Sequence, residues 1–202
     1  MQTELIALLA GRRGHFQMES GYHSEQWFAL DRLFEDRARL QPFTAELAQR
    51  LGRHGVDAVC GPVTGGAKLA EIIGYELGVE NFFAERFEVA AATGLFPVKY
   101  RVPEKFRAQL RGKAVAIVDD AISAGSAVRG TYADLLECGA HPMAFGALFV
   151  FGEAAAQFAD QKNAKLEAIA RTSFSIWQPA ECPLCRAGVA IERISDANPG
   201  RR

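Results

Sequence analysis

The sequence predicts an α/β protein with a mostly parallel, twisted sheet flanked by helices. Three observations lead to this fold class. Short β-rich runs alternate with helical stretches between residues 56 and 176, and two of the strand-to-helix turns are rich in glycine. The chain has 202 residues, of which 49% are apolar and 23% charged, so it is large enough to bury a core on both faces of a sheet. Strands separated by helices pair in parallel, because each helix returns the chain to the same edge.

Hydrophobic spacing and the glycines place the individual elements. Strands are predicted at 56–60, 81–84, 114–118, 143–151 and 168–176, and helices at 2–10, 43–54, 67–77 and 126–138. Residues 14–34 are predicted to be irregular or partly extended. We expect one domain over residues 1–195. Its core would span 41–174, a small hood would combine 1–40 with 175–195, and 196–202 would be a disordered tail.

Composition excludes several classes of protein. The net charge of −1 and the pI near 6.4 provide no general attraction to nucleic acid or to an anionic membrane. No apolar run reaches the roughly 20 residues that a membrane helix needs. Arg12 and Arg13 follow the first apolar stretch, whereas a signal peptide has its basic residues first. Four scattered cysteines fit a reducing compartment, so we expect a cytoplasmic protein without membrane or nucleic-acid partners.

The strand predicted at 114–118 leads into the segment with the clearest chemistry. Asp119 and Asp120 come first, the small-residue turn Ser123-Ala124-Gly125-Ser126 follows, and a helix begins there. Small residues let several backbone N–H groups point at one site, and the helix N-terminus adds partial positive charge, so the turn suits a phosphate. The two carboxylates are acceptors suited to a sugar diol. A phosphate beside vicinal hydroxyls describes a ribose 5-phosphate; an ordinary strand–turn–helix junction is the alternative.

Two further segments add groups for anions. The turn from Gly61 to Lys68 has backbone amides at Thr64, Gly65 and Gly66, although it lacks the lysine and Ser/Thr positions of a nucleotide P-loop. The stretch from residue 86 to residue 113 carries seven basic residues against two acids. Such a segment inside a domain is often a lid that excludes water and neutralises phosphates. A plain turn and a solvated basic loop are the respective alternatives.

The strand, acid pair and small-residue turn resemble the type I phosphoribosyltransferase family. The hood segment from Gly14 to Ser24, the Phe83–Arg86 strand end and the Trp177–Val189 ending resemble bacterial orotate phosphoribosyltransferases. The resemblance implies that phosphoribosyl pyrophosphate and a nucleobase are the ligands, with Mg2+ as cofactor and a homodimer as the assembly. Implied catalytic residues are Asp119, Asp120 and Arg86. The 5-phosphate loop would be Ala121, Ile122, Ser123, Ala124, Gly125, Ser126 and Ala127. Pyrophosphate would contact Thr64, Gly65, Gly66, Lys68, Lys99 and Arg101, and the base Phe16, Ser20, Gly21 and Tyr22.

Departures from the orotate pattern leave the acceptor open. Tyr22 and Arg86 stand where lysines are usual, and Val150 and Phe151 replace an Asp-Arg whose arginine holds the carboxylate of orotate. A phosphoribosyltransferase for another base and a regulator that binds the donor without catalysis therefore remain alternatives. A DNA-binding relative is disfavoured, because there is no basic excess or added segment before the hood. A dinucleotide-binding oxidoreductase is disfavoured because no Gly-x-Gly-x-x-Gly follows a strand.

The Cys-x-x-Cys formed by Cys182 and Cys185 raises the question of a metal. A structural zinc site needs about four ligands, and Cys60 and Cys138 are single cysteines elsewhere in the chain. We therefore expect no protein-bound metal, and a local turn with packed thiols. A redox pair and an intersubunit site are alternatives. The histidines show no catalytic spacing and are expected to be structural.

Overall fold

The computed structural model describes residues 1–9, 11–88 and 98–193. Its larger sheet has six strands in the order β5-β4-β3-β6-β7-β8. These are β3 (Ala58–Pro62), β4 (Glu80–Glu88), β5 (Val98–Arg101), β6 (Ala114–Ile122), β7 (His141–Phe151) and β8 (Lys165–Thr172). All neighbouring pairs are parallel except β4 and β5, which are antiparallel. The predicted α/β class with a mostly parallel sheet is confirmed.

Helices cover both faces of this sheet. They are α1 (Gln2–Ile6), α2 (Arg37–Gly52), α3 (Gly65–Leu77), α4 (Glu104–Leu110), α5 (Ser126–Glu137) and α6 (Ala154–Gln161). A short helix, α7 (Pro183–Arg186), follows the last strand of this sheet in the chain. Alternate residues of β6 show why two layers form: Val115 and Ile117 pack with α5 and α6, whereas Ala116 and Val118 pack with α2 and α3. Successive side chains of a strand point to opposite faces, so a strand that is apolar at every position is buried on both. No helix among the described residues could span a membrane.

Both ends of the described chain meet in a second, smaller sheet. Its four strands have the order β10-β1-β2-β9, with β1 (Gly11–Gln17), β2 (His23–Phe28), β9 (Ile176–Trp177) and β10 (Glu192–Arg193). We call this sheet the hood. The segment that the sequence predicted to be irregular or partly extended thus contains two antiparallel strands. The tail predicted at 196–202 lies outside the described residues.

The basic stretch expected to act as a lid is largely structural where it is described. Strand β5 pairs with β4, and α4 follows it, so Val98, Val102 and Leu110 are buried. Two of its cations are engaged away from the sheet end: Arg107 pairs with Asp134 at 2.9 Å and Lys113 with Glu80 at 2.5 Å. Residues 89–97 lie outside the described residues, so a lid there stays a prediction.

Candidate active site

A cavity of about 990 Å³ lies between the hood and the carboxyl ends of β3 and β6. This is the edge where parallel sheets bind ligands, because helix N-termini and turn amides converge there. Its wall has a floor from the core and a roof from the hood. The floor residues are Pro62, Val63, Thr64, Gly65, Tyr100 and the unbroken run from Asp119 to Val128; the roof includes Gly11, Arg12, Met18, Glu19, Ser20, Trp27, Phe28, Glu192 and Arg193.

The predicted phosphate loop is one continuous part of this wall. All seven residues from Ala121 to Ala127 line the cavity. Gly125 precedes the first residue of α5 and has φ of 81°, a left-handed conformation that glycine adopts without a side-chain clash. The loop therefore turns sharply into the N-terminus of a 12-residue helix, which is favourable for an anion.

Asp119 and Asp120 lie near the carboxyl end of β6. The sequence predicts that this strand ends at Val118, but it continues to Ile122. The strand continues because Ala121 and Ile122 still pair with β7. Asp119 is only 8% exposed, and its Oδ1 accepts from the backbone N–H of Asp120 at 3.0 Å. Burial, and then the charge of Asp120, raise the pKa of Asp119 well above its ordinary value. A bound cationic group would reverse this effect by stabilising the carboxylate.

Three glycines bring the β3–α3 turn against the acid pair. A Cβ atom at Gly65 would overlap the Asp120 carboxylate, and one at Gly61 would overlap the backbone of Gly66. A Cβ at Gly66 would lie 2.9 Å from Asp119 Oδ1. The Val63–Thr64 peptide bond is cis. Only residues without side chains allow this approach, which is the structural reason for the glycine-rich turn.

The residues predicted for pyrophosphate fall into two groups. Thr64 and Gly65 line the cavity and Gly66 is buried directly behind them. Lys68 lies on α3 with its Nζ 3.5 Å from an oxygen of Asp31, itself a wall residue. Lys99 and Arg101 alternate along β5 with buried Val98 and Tyr100, so they point to the face opposite the cavity.

Glu19 is a site residue that the sequence analysis did not single out. It extends from the hood to the phosphate loop, where its Oε1 accepts from the Tyr100 hydroxyl at 2.8 Å and the Ser126 hydroxyl at 3.4 Å. Its Oε2 lies 3.4 Å from Nε of Arg86, the predicted catalytic arginine. Burial and the charge of Glu19 raise the pKa of Tyr100, so this phenol remains a donor. No local motif marks Glu19, because Tyr100, Ser126 and Arg86 belong to three other elements.

The hood gives the other end of the cavity an aromatic and basic character. Trp27, Phe28 and Arg12 line it, and the Arg12 guanidinium lies 5.2 Å from the Trp27 ring centroid and 2.5 Å from a Glu192 oxygen. Phe28 also stacks on Phe151, with ring centroids 5.2 Å apart and the planes 5° from parallel. Phe151, which replaces the arginine of the orotate pattern, therefore joins hood to core.

Of the four hood residues predicted to contact the base, one lies on the wall. Ser20 is buried and lines the cavity. Phe16 is buried inside the hood, with the Arg12 guanidinium 5.1 Å from its ring centroid. Gly21, with φ of 84°, and Tyr22 form the turn between β1 and β2 and do not line the cavity.

Comparison with known proteins first defines the fold. No family model matches the chain. The crystal structure of adenine phosphoribosyltransferase from Giardia lamblia complexed with 9-deazaadenine matches 84% of this chain and 97% of its own, with a TM-score of 0.66 and 16% identity. That of orotate phosphoribosyltransferase from Aeropyrum pernix matches 82% and 88%, with a TM-score of 0.61 and 21% identity. The chain has the type I phosphoribosyltransferase fold.

Comparison of the amino-acid sequences then finds relatives that are named orotate phosphoribosyltransferase. The orotate phosphoribosyltransferase of Thermotoga maritima is 28% identical over 180 residues, which is 89% of each chain. That of Helicobacter pylori is 28% identical over 197 residues, covering 92% of each. The resemblance to bacterial orotate phosphoribosyltransferases that the hood, loops and ending predicted is confirmed over nearly the whole length.

Proposed function

We propose that this protein is a phosphoribosyltransferase that transfers the phosphoribosyl group of phosphoribosyl pyrophosphate to orotate, giving orotidine 5'-phosphate and pyrophosphate. One observation carries the proposal: the acid pair and all seven residues of the phosphate loop line one cavity that continues under the hood. The names of the sequence relatives support orotate as the acceptor.

The donor would bind along the floor of the cavity. Backbone amides of residues 121–127 and the Ser126 hydroxyl would hold the 5-phosphate, with α5 contributing its N-terminal partial charge. Asp119 and Asp120 would accept from the ribose hydroxyls and stabilise the sugar as positive charge develops on it. Thr64 and Gly65 would receive the pyrophosphate on the other side of the acid pair. The base nitrogen would then attack the anomeric carbon from the hood side, and pyrophosphate would leave from the opposite side.

The charge of the wall favours Mg2+ as a cofactor. Among the described residues, the wall carries six acids and three arginines, so it is net negative while the donor is strongly anionic. Carboxylate and phosphate oxygens are the ligands that Mg2+ prefers, usually with several waters retained, and Asp119 and Asp120 provide carboxylates at the right edge. When bound, Mg2+ would neutralise charge that develops on the leaving pyrophosphate.

The acceptor would lie under the hood against Trp27 and Phe28. A flat base gains contact area on aromatic rings, and Arg12 is the wall cation best placed to attract its carboxylate. Arg12 would thus hold the carboxylate of orotate in place of the arginine that Phe151 replaces. The alternative acceptor, a base without a carboxylate, is favoured by the existing pairing of Arg12 with Glu192.

A homodimer would complete the site. Lys99 and Arg101 point away from the cavity of their own chain, which suits delivery of these cations to a neighbouring site in a symmetric dimer.

The test of this dimer mixes two inactive variants, Asp120→Asn and Arg101→Ala, after dissociation and reassembly. If the cation acts in the neighbouring site, about a quarter of the wild-type activity returns, because half of the dimers are mixed and each contains one intact site. Activity that stays at the level of the separate variants contradicts this arrangement.

Pyrophosphate release tests the main proposal. The protein is incubated with phosphoribosyl pyrophosphate, Mg2+ and, in separate reactions, orotate, uracil, adenine or hypoxanthine. We expect turnover with orotate, none with Asp120→Asn, and none after removal of Mg2+. Turnover only with another base would keep the class and reject orotate. Donor binding without any turnover would favour the non-catalytic regulator, and absence of donor binding would reject the function altogether.

A further inference from the structure

Four side chains with metal-binding atoms meet at the outer end of the hood, away from the cavity wall. His15 lies on β1, His23 begins β2, Cys182 precedes α7, and Cys185 lies within it. Their ring nitrogens and sulfurs all lie within 4.8 Å of one another. None of the four lines the cavity, so the proposed phosphoribosyl transfer gives them no role. We call this group the Cys2His2 cluster.

We propose that the Cys2His2 cluster binds one structural zinc ion. The spacing of the atoms supports tetrahedral coordination. Zn–N bonds of about 2.0 Å and Zn–S bonds of about 2.3 Å at tetrahedral angles require N···N near 3.3 Å and N···S near 3.5 Å. The distance from His15 Nε2 to His23 Nδ1 is 3.2 Å. The nitrogen-to-sulfur distances are 3.4 Å and 3.7 Å from His15 to Cys182 and Cys185, and 3.2 Å from His23 to Cys185.

The outer contacts of His15 provide an independent observation. Its Nδ1 lies 2.8 Å from the backbone carbonyl oxygen of Val189, an acceptor, so Nδ1 carries the proton. The neutral ring then directs the lone pair of Nε2 into the cluster. A backbone carbonyl that fixes the tautomer of a histidine in this way is the usual support for a metal ligand. Val189 itself is positioned by a hydrogen bond from its N–H to Leu184, between the two cysteines.

The Cys-x-x-Cys segment has the tight backbone that such a site needs. The N–H of Arg186 donates to the carbonyl of Cys182 at 3.3 Å, and that of Gly188 donates to the carbonyl of Cys185 at 3.0 Å. Gly188 has φ of 70°, which permits the sharp turn after the second cysteine. Three of the four ligands are under 7% exposed: His15 is 3%, His23 6% and Cys182 0% exposed. Two thiolates and two imidazoles form a closed donor set that selects zinc and leaves no position for a substrate.

The ion would join the two ends of the described chain. It would tie β1 and β2 to the segment between β9 and β10, and these strands form the wall that carries Arg12 and Trp27. Zinc loss is therefore expected to raise the KM for the acceptor more than the KM for the donor, because the phosphate loop belongs to the core. The ion is separate from the Mg2+ proposed for the donor.

The decisive measurement is metal content in the full-length protein without a polyhistidine tag, purified under reducing conditions. We expect about one zinc per chain. Cys182→Ser and His23→Asn should lose it, whereas the matched controls Cys138→Ser and His141→Asn, which alter a cysteine and a histidine elsewhere, should keep it. Replacement by Co2+ should give the intense visible bands of tetrahedral cobalt together with a thiolate charge-transfer band.

Metal content and the cobalt spectrum of the unsubstituted protein remain decisive even if a variant fails to fold, and neither depends on phosphoribosyl transfer. Less than about a tenth of a zinc per chain, with no uptake from added zinc under reducing conditions, would overturn the proposal. So would a Cys182–Cys185 disulfide that persists in the protein as isolated from a reducing cytoplasm, since oxidised sulfurs cannot act as thiolate ligands. Zinc retained equally by Cys182→Ser and Cys138→Ser would also overturn it.

Discussion

Glu19 places a carboxylate beside the phosphate loop, and its replacement by glutamine is expected to tighten donor binding. Its Oε1 lies 3.4 Å from the Ser126 hydroxyl, one of the groups proposed to hold the 5-phosphate. Its Oε2 lies 3.4 Å from Nε of Arg86, the predicted catalytic arginine. A bound donor must therefore lie near this negative charge or displace it. Glutamine keeps an oxygen that can accept from Tyr100, so the change removes charge with little loss of shape.

The expected magnitude follows from the distances. A phosphate that accepts from Ser126 would have its phosphorus about 6 Å from the Glu19 carboxyl group. At an effective dielectric constant of about 20, two unit charges at that distance repel by about 2.8 kcal/mol. The Glu19 side chain is 23% exposed, so solvent screening reduces this value to roughly half. The remaining 1.4 kcal/mol or so corresponds to about a tenfold lower Kd for phosphoribosyl pyrophosphate.

Calorimetric titration with phosphoribosyl pyrophosphate and Mg2+ measures this effect. Glu35→Gln is the matched control, because Glu35 also lines the cavity but is exposed, and its removal should change the Kd less than about twofold. The gain for Glu19→Gln should shrink at high salt. Weaker donor binding by Glu19→Gln would refute the reasoning and would indicate that Glu19 positions Arg86 or Tyr100 for the ligand.

Three further substitutions separate catalysis from stability. Asp119→Asn should cut turnover about 100-fold or more, yet raise the melting temperature at neutral pH. Because burial raises the pKa of Asp119, its charged form destabilises the folded protein above that pKa. The stability gained by the variant should therefore fade as the pH falls through the pKa of Asp119. A lower melting temperature of the variant at pH 7 would contradict this prediction. Gly65→Ala should reduce turnover about 100-fold, because its Cβ displaces the Asp120 carboxylate, whereas Gly52→Ala, at the end of α2, should leave the rate unchanged. Asp134→Asn should lower the free energy of unfolding in urea by about 2 kcal/mol, since Asp134 accepts from Val102 at 2.7 Å and Arg107 at 2.9 Å; a changed donor Kd would show that this pair also shapes the site.

The phosphate loop could be predicted from the sequence because its parts are neighbours in the chain. A strand, two acids, a small-residue turn and a helix come within about a dozen residues, so local geometry fixes their relation. The β3–α3 turn was found for the same reason. Even there, the sequence placed the strand end at Val118, whereas pairing with β7 carries the strand to Ile122 and buries Asp119. Apolar content alone does not reveal pairing that continues through acidic residues.

Long-range placement was harder to predict. Their charge alone predicts that Lys99 and Arg101 contact the pyrophosphate, but a strand has two faces. Only the burial of Val98 and Tyr100 shows which face the two cations take. Arg12 and Trp27 reach the cavity because the hood folds over the core. The Cys2His2 cluster joins residues from the two ends of the described chain, so the spacing of the cysteines alone suggested two ligands where the structure assembles four.

The pairing of β1 with β10 also sets an order for folding. It joins Phe16 to Glu192, while all six strands of the core sheet lie between residues 58 and 172. Closing so long a loop costs more chain entropy than the pairings inside the core sheet, and contacts distant in sequence form late. During refolding, the phosphate loop is therefore expected to form before β10 completes the acceptor wall.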